Sequence, residues 1–144
     1  MKFLANEPAL LENKTLVVSD LHIGIEHAYW KEGIKVPTQT KSMLSRLQMI
    51  LKKTRVRELI ICGDGKHKVP GISFQEKKEI PDFLGRLEAK IEIAQGNHDA
   101  DLRPLLPPFV KLHPTEGFLK GNLYITHGHT WPSPDFLKAS HILM

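Results

Sequence analysis

Nine polar side chains stand out by type and spacing: Asp20 and His22, Asp64 and His67, Asn97, His98 and Asp99, and His127 and His129. Carboxylate, amide and imidazole together suit Mn²⁺, Fe²⁺ or Zn²⁺ better than ions that prefer soft ligands. Imidazole also carries protons near neutral pH. If Asp20–Leu21–His22 is extended, its carboxylate and imidazole face the same way while Leu21 faces the core, because side chains alternate along a strand. That arrangement is a two-toothed clamp for a cation. Gly63 precedes Asp64, Gly96 precedes Asn97, and Gly128 separates His127 from His129. Glycine lets the backbone turn sharply beneath an ion or a phosphate. Taken singly these features say little, since a Gly-Asp pair is commonly a turn with a solvated carboxylate. The single cysteine, Cys62, cannot form an internal disulfide, so metal ligands are expected to be N and O atoms.

Such residues act together only if the chain brings them to one place. Thr15–Ser19 and Glu58–Cys62 are short apolar runs rich in branched residues, the pattern of strands buried on both faces. Ile91–Ala94 reads as a third. Met43, Leu44, Leu47, Ile50 and Leu51 make one apolar helical stripe behind a start at Pro37 and Thr38, and Ile80, Phe83, Leu84 and Leu87 make another. Glu116–Lys120 and Asn122–Thr126, joined at Gly121–Asn122, read as a β-hairpin. After Trp131–Pro132–Ser133–Pro134 a short helix and a last strand at Ala139–Leu143 are expected. Alternating strands and helices imply an α/β fold, whose sites form beyond the carboxyl ends of the strands. The nine polar residues sit at four such ends.

At 144 residues with 41% hydrophobic and 25% charged, the chain reads as one globular domain over 1–144 rather than a disordered one. Its apolar runs fall far short of the roughly 18 residues of a membrane span. Met1–Lys2–Phe3–Leu4 meets Asn6 and Glu7 too soon for a signal-peptide core, so a soluble, cytoplasmic protein without membrane contact is expected. The formal charge of +4 suits an anionic substrate without demanding nucleic acid. Tyr29 and Trp30 are expected to pack rather than to stack on bases. His27 and His113 are expected at the surface, His113 in a turn between Lys111 and Pro114. Lys52, Lys53, Arg55 and Arg57 are expected to be a solvated face at the end away from the site.

In order, Asp20–Leu21–His22–Ile23–Gly24, Gly63–Asp64–Gly65–Lys66–His67, Gly96–Asn97–His98–Asp99 and Thr126–His127–Gly128–His129 resemble the first four motifs of the calcineurin-like metallophosphoesterases. The likeness spans Leu16 to Pro132 and is nearest to the small single-domain prokaryotic branch. It implies a β-sandwich flanked by helices, with two divalent cations (Mn, Fe or Zn) at the strand ends. By that resemblance Asp20, His22 and Asp64 would hold one cation, and Asp64, Asn97 and His127 the other, with Asp64 shared. His98 would stabilise the phosphoryl oxygens or protonate the leaving group, with Asp99 orienting its ring. His67 would meet the substrate phosphate. From its residue type alone, His129 reads equally as support for a ligand, a substrate contact or a satisfied loop histidine. The implied reaction is hydrolysis of a phosphodiester or phosphomonoester, nucleic acid or nucleotide among the candidates, by a metal-bridging hydroxide.

One motif of that family, Gly-His-x-His, is absent. Gly128–His129–Thr130–Trp131 begins like it but carries Trp131 in place of the second histidine, and His141 lies inside a strand-like run. The expectation is therefore a domain short of its last strands, with one or two weakly held cations, low activity, and an open sheet edge suited to a homodimer. Gly65 is a smaller departure that makes the Lys66–His67 loop more pliable. The competing readings are a metal-binding module without catalysis and a nucleic-acid binder without hydrolysis.

Overall fold

The computed structural model describes residues 1–144. Strands β1 (Lys2–Phe3), β2 (Leu10–Glu12), β3 (Thr15–Val18), β4 (Glu58–Cys62), β5 (Lys90–Ala94) and β6 (Lys111–His113) form one sheet in sequence order. The first three are antiparallel, and β3 to β6 run parallel. Three helices, α1 (Ile25–Lys31), α2 (Thr40–Thr54) and α3 (Phe74–Gly85), lie between strands of the parallel part. A second sheet holds the hairpin β7 (Phe118–Lys120) and β8 (Leu123–Ile125), with β9 (His141–Leu143) parallel to β8.

The period-two rule sorts the central strands between two cores. Leu16, Val18, Leu59, Ile61, Ile91 and Ile93 pack with Leu44, Leu47 and Leu51 of α2 and Ile80, Phe83 and Leu84 of α3. The alternate residues Val17, Ile60, Cys62 and Ala94 pack against Leu123 and Ile125 of the second sheet. The fold is thus a mixed α/β arrangement in which a helix layer covers one face of the large sheet and a small sheet covers the other. No helix is long and apolar enough to cross a membrane.

Several sequence expectations change here. Helix α2 begins at Thr40, three residues past Pro37, with Gln39 at its cap. The buried Glu26 takes the Gln39 N–H at 2.6 Å, a tertiary contact that overrides the local proline signal. Helix α3 stops at Gly85, yet Leu87 beyond it remains buried. His113 is neither in a turn nor at the surface: it belongs to β6 and is buried against Glu92. Tyr29 and Trp30 do not join the core: both are exposed, and the only ring Trp30 meets is that of His27. The basic cluster from Lys52 to Arg57 is exposed at the amino end of β4, as expected.

Candidate metal centre

Parallel pairing sets the site, because it aligns Val18 with Ile61 and Ile93 and so releases the following loops at one edge. Those loops keep bonding past the strands. Asp20 N–H reaches Gly63 O at 3.1 Å, His22 N–H reaches Asp64 O at 2.9 Å, and Ile23 N–H reaches Gly65 O at 3.1 Å. The Asp20–Leu21–His22 triplet is therefore not extended. Asp20 and His22 have φ of 54° and 44°, and Asp64 has 52°, all in the left-handed region. Such conformations cost about 1–3 kcal/mol each and cluster where function holds them. Instead of pointing together, the two residues part. Asp20 joins Asp64 and His127, whereas His22 joins His67 and His98; within each group the ligand atoms lie within 4.8 Å of one another.

Asp64 stands where the groups meet. It is 4% exposed. Its Oδ1 accepts the His98 N–H at 3.0 Å, while Oδ2 lies 3.6 Å from His22 Nε2 and 3.5 Å from His127 Nε2. Those two separations exceed ordinary hydrogen-bond lengths. Two glycines make this approach possible. A Cβ on Gly96 would overlap the Asp64 carboxylate, and one on Gly63 would overlap the His127 ring.

His127 comes from the second sheet, just beyond β8. Its Nδ1 faces the Cys62 carbonyl at 3.1 Å, so that nitrogen carries a proton and, in the neutral ring, Nε2 is the one with the lone pair. Nε2 then lies 3.1 Å from Asn97 Oδ1, a second lone pair, and near Asp64 Oδ2. Lone pairs converge in this way around a cation, or around the extra proton of an imidazolium. The donor set therefore fits a divalent ion with N and O ligands.

On the other side, His22 and His67 approach at 3.4 Å between their Nδ1 atoms, and the His22 and His98 ring centroids are 4.8 Å apart. Burial, with the neighbouring His22 and His98, lowers the His67 pKa below the usual histidine value. His98 Nδ1 meets the His67 carbonyl, which places a proton there and leaves Nε2 free. Asp99 does not touch the His98 ring. It is fully buried, accepts from Gly96 N–H at 2.9 Å and Lys66 N–H at 3.2 Å, and so ties the two loops together. Burial raises its pKa. His129 is exposed beside His127, with ring centroids 5.5 Å apart. His141 opens β9 opposite Leu123, while Met144 runs beside Gly128.

The burial of two charged residues, Glu76 and Lys66, escaped the sequence reading. Glu76 Oε1 accepts the N–H groups of His67 at 3.0 Å and Lys68 at 2.6 Å, which positions the His67 loop. Its signal was the Ser73–Glu76 capping box, which announces a helix start but not this second task. Gly24 at φ 98° is required beside it, since a Cβ there would lie 2.6 Å from Glu76 Cγ. Lys66 is also fully buried, its Nζ donating to the carbonyls of Lys68 and Gly71. It shapes the loop rather than facing a ligand.

A family model for calcineurin-like phosphoesterases matches residues 14–141, and the chain belongs to that family. Among solved structures, the nuclease MPE of Pseudomonas putida is similar at 24% identity with a TM-score of 0.60, over 81% of this chain and 55% of that one. At that identity the likeness is one of fold, and this chain spans about half of that protein's length. No curated protein matches the sequence.

Proposed function

We propose that this chain carries the active site of a divalent-metal-dependent phosphoesterase that hydrolyses a phosphodiester or phosphomonoester. The observation that supports it most is the buried Asp64 carboxylate, poised between two groups of ligand atoms. In this reading Asp20, His22, Asp64, Asn97 and His127 hold two cations, of which manganese, iron or zinc suits the donors. When bound, such cations supply Lewis-acid activation of water and neutralise charge on the phosphoryl group. The protein's own part is positioning. Asp64 keeps the two ligand groups in register through the His98 N–H, and Cys62 O sets the His127 tautomer. With its Nδ1 held against His67 O, His98 presents Nε2 as the atom through which its doubly protonated ring would give a proton to the departing alkoxide. His67 contacts the phosphate. The nuclease among its structural relatives favours a nucleotide or nucleic-acid phosphodiester as substrate.

A second reading has its own observation. His22, His67 and His98 lie close enough to ligate one cation as a trio, which would occupy His98 and leave a metal-binding module without a proton donor. Metal counting on purified protein and hydrolysis of bis(p-nitrophenyl) phosphate with added Mn²⁺ test both. Turnover with two metal equivalents is expected. Bound metal with no turnover on phosphodiester or phosphomonoester, whether Mn²⁺, Fe²⁺ or Zn²⁺ is supplied, would overturn the enzyme in favour of the module.

A further inference from the structure

Beside the three-histidine group lies a trench of about 210 Å³. One wall is α1, where Gly24, His27, Ala28 and Lys31 fall at a spacing of three, four and seven, a single helical face. The other wall is Lys68, in the loop after β4, and His67 and His98 line the inner end. No acidic residue lines the trench. Lys68 Nζ is held only loosely, 3.5 Å from Ile72 O, and Lys31 is exposed. At the rim the His27 ring stacks on Trp30, with centroids 5.8 Å apart and planes inclined by 26°. Trp30 is 61% exposed, and Tyr29 beside it is exposed too. Beyond that stack the indole stays in water, next to a cationic trench, with its surface open to a second ring.

Building on the phosphoesterase reading, we propose that this trench is a track for single-stranded nucleic acid: Lys31 and Lys68 take the backbone phosphate next to the one at the metal centre, and Trp30 stacks on its base. Cationic side chains following a backbone, with an aromatic ring offered to a base, form the recognition surface for unpaired strands. From Gly24 to Lys31 the α1 wall runs about 10 Å at 1.5 Å per residue, the reach of a nucleotide or two. The volume is below the roughly 300–1,000 Å³ of a pocket that engulfs a whole ligand, so the trench holds one segment of a longer chain. Bases within a duplex are stacked on each other and cannot lie on the indole.

Binding is measured by fluorescence anisotropy of a labelled single-stranded thymidylate octamer, with EDTA present so that neither metal nor turnover contributes. Trp30→Ala is expected to raise Kd about tenfold, and Trp30→Phe to recover most of that loss. Lys31→Ala is expected to flatten the log–log salt dependence by about 0.7, the share of one phosphate contact on a single strand. Lys52→Ala, at the other end of the sheet, leaves Kd unchanged. A Trp30→Ala Kd within twofold of the native value overturns the proposal, as does competition by a duplex as strong as by the single strand. A protein that binds the octamer but cleaves no nitrophenyl ester loses the phosphoesterase reading alone; one that cleaves the ester but ignores the octamer loses the trench.

Discussion

Two polar clusters sit in this fold, and they are built on opposite terms. Between the sheets, Glu92 accepts from His113 Nε2 at 2.7 Å and Lys120 Nζ at 2.8 Å, and Lys120 also reaches Glu58 Oε2 at 3.0 Å. The His113 ring lies flat on Phe118 of β7. Every charge there has a partner and the backbone is plain strand. Burial alone would raise the Glu92 carboxyl, but Lys120 and His113 hold it down at about 2. At the strand ends the reverse holds. Backbone angles are left-handed at Asp20, His22 and Asp64, imidazoles face imidazoles, and one buried carboxylate serves two groups. Polar groups that satisfy each other hold a structure together. Groups that converge without satisfying each other suit a shared ligand, and a cation is the one proposed for them.

The largest expected effect tests that contrast at its centre. Asp64→Asn should lower Mn²⁺ affinity by at least about 100-fold and bring the titrated stoichiometry near zero, because the shared charge is lost from both groups. The urea midpoint should stay at the native value, since Asn can still accept the His98 N–H. Two retained equivalents of Mn²⁺ would show that Asp64 is not the shared ligand. Glu92→Gln is the mirror experiment. Breaking a buried charge pair costs about 3 kcal/mol, somewhat less here because Lys120 keeps Glu58. Urea unfolding should register that loss with metal stoichiometry intact. A loss of metal at unchanged stability would mean the two clusters are not separable.

This contrast was only half visible in the sequence. Strands β3, β4 and β5 were legible because burial on both faces demands unbroken apolar runs, and the hairpin because Gly121–Asn122 marks its turn. The four loops of the site were legible because glycine and ligand residues recur together after those runs. The Glu92 network was not, because His113 lies 21 residues from Glu92 and Lys120 lies 28. A carboxylate whose partners are that distant looks like any strand residue. The same reason hid the turn at Asp20 and His22, imposed by bonds to the Gly63–Gly65 loop. Burial of Lys66 and Glu76 follows from loop packing, which leaves no periodic trace.

Acid should act with opposite signs on the buried carboxylates Glu92 and Asp99, one from each cluster. Glu92 folds with a pKa of about 2 against an ordinary 4.5, so its stabilisation is complete above 4.5 and is lost as pH falls from there towards 2. The His113 pKa is lowered by burial, which outweighs the pull of Glu92, so below about 6.5 the unfolded chain binds the proton more readily and stability again falls with pH. Asp99 works the other way. Its raised pKa means the folded state takes up a proton first, so acid relieves the cost of burying it. Urea midpoints measured from pH 7 to pH 3 should therefore decline in the native protein. Glu92→Gln should flatten the part below 4.5. An unchanged slope in that variant would remove Glu92 as the source of the acid sensitivity.

The smallest effect is read at the seam the two clusters share. Cys62 closes β4 with its thiol donating to Thr126 O at 3.2 Å, while its carbonyl accepts from His127. Burial, with Asp20 nearby, pushes the thiol up to about 11. At pH 8 only about 0.1% would be thiolate even if reagent could enter, so modification by N-ethylmaleimide must wait for the second sheet to part from the first. If the Glu92 network closes that seam from one end, Glu92→Gln should speed the labelling. If a cation joins His127 to Asp64 at the other end, added Mn²⁺ should slow it by about 1 + [Mn²⁺]/Kd when opening releases the ion. Mass spectrometry of the labelled chain follows both changes. A thiol that reacts as fast as one in an unfolded peptide, or at a rate indifferent to Mn²⁺ and to Glu92→Gln alike, would mean that neither cluster holds the sheets together at Cys62.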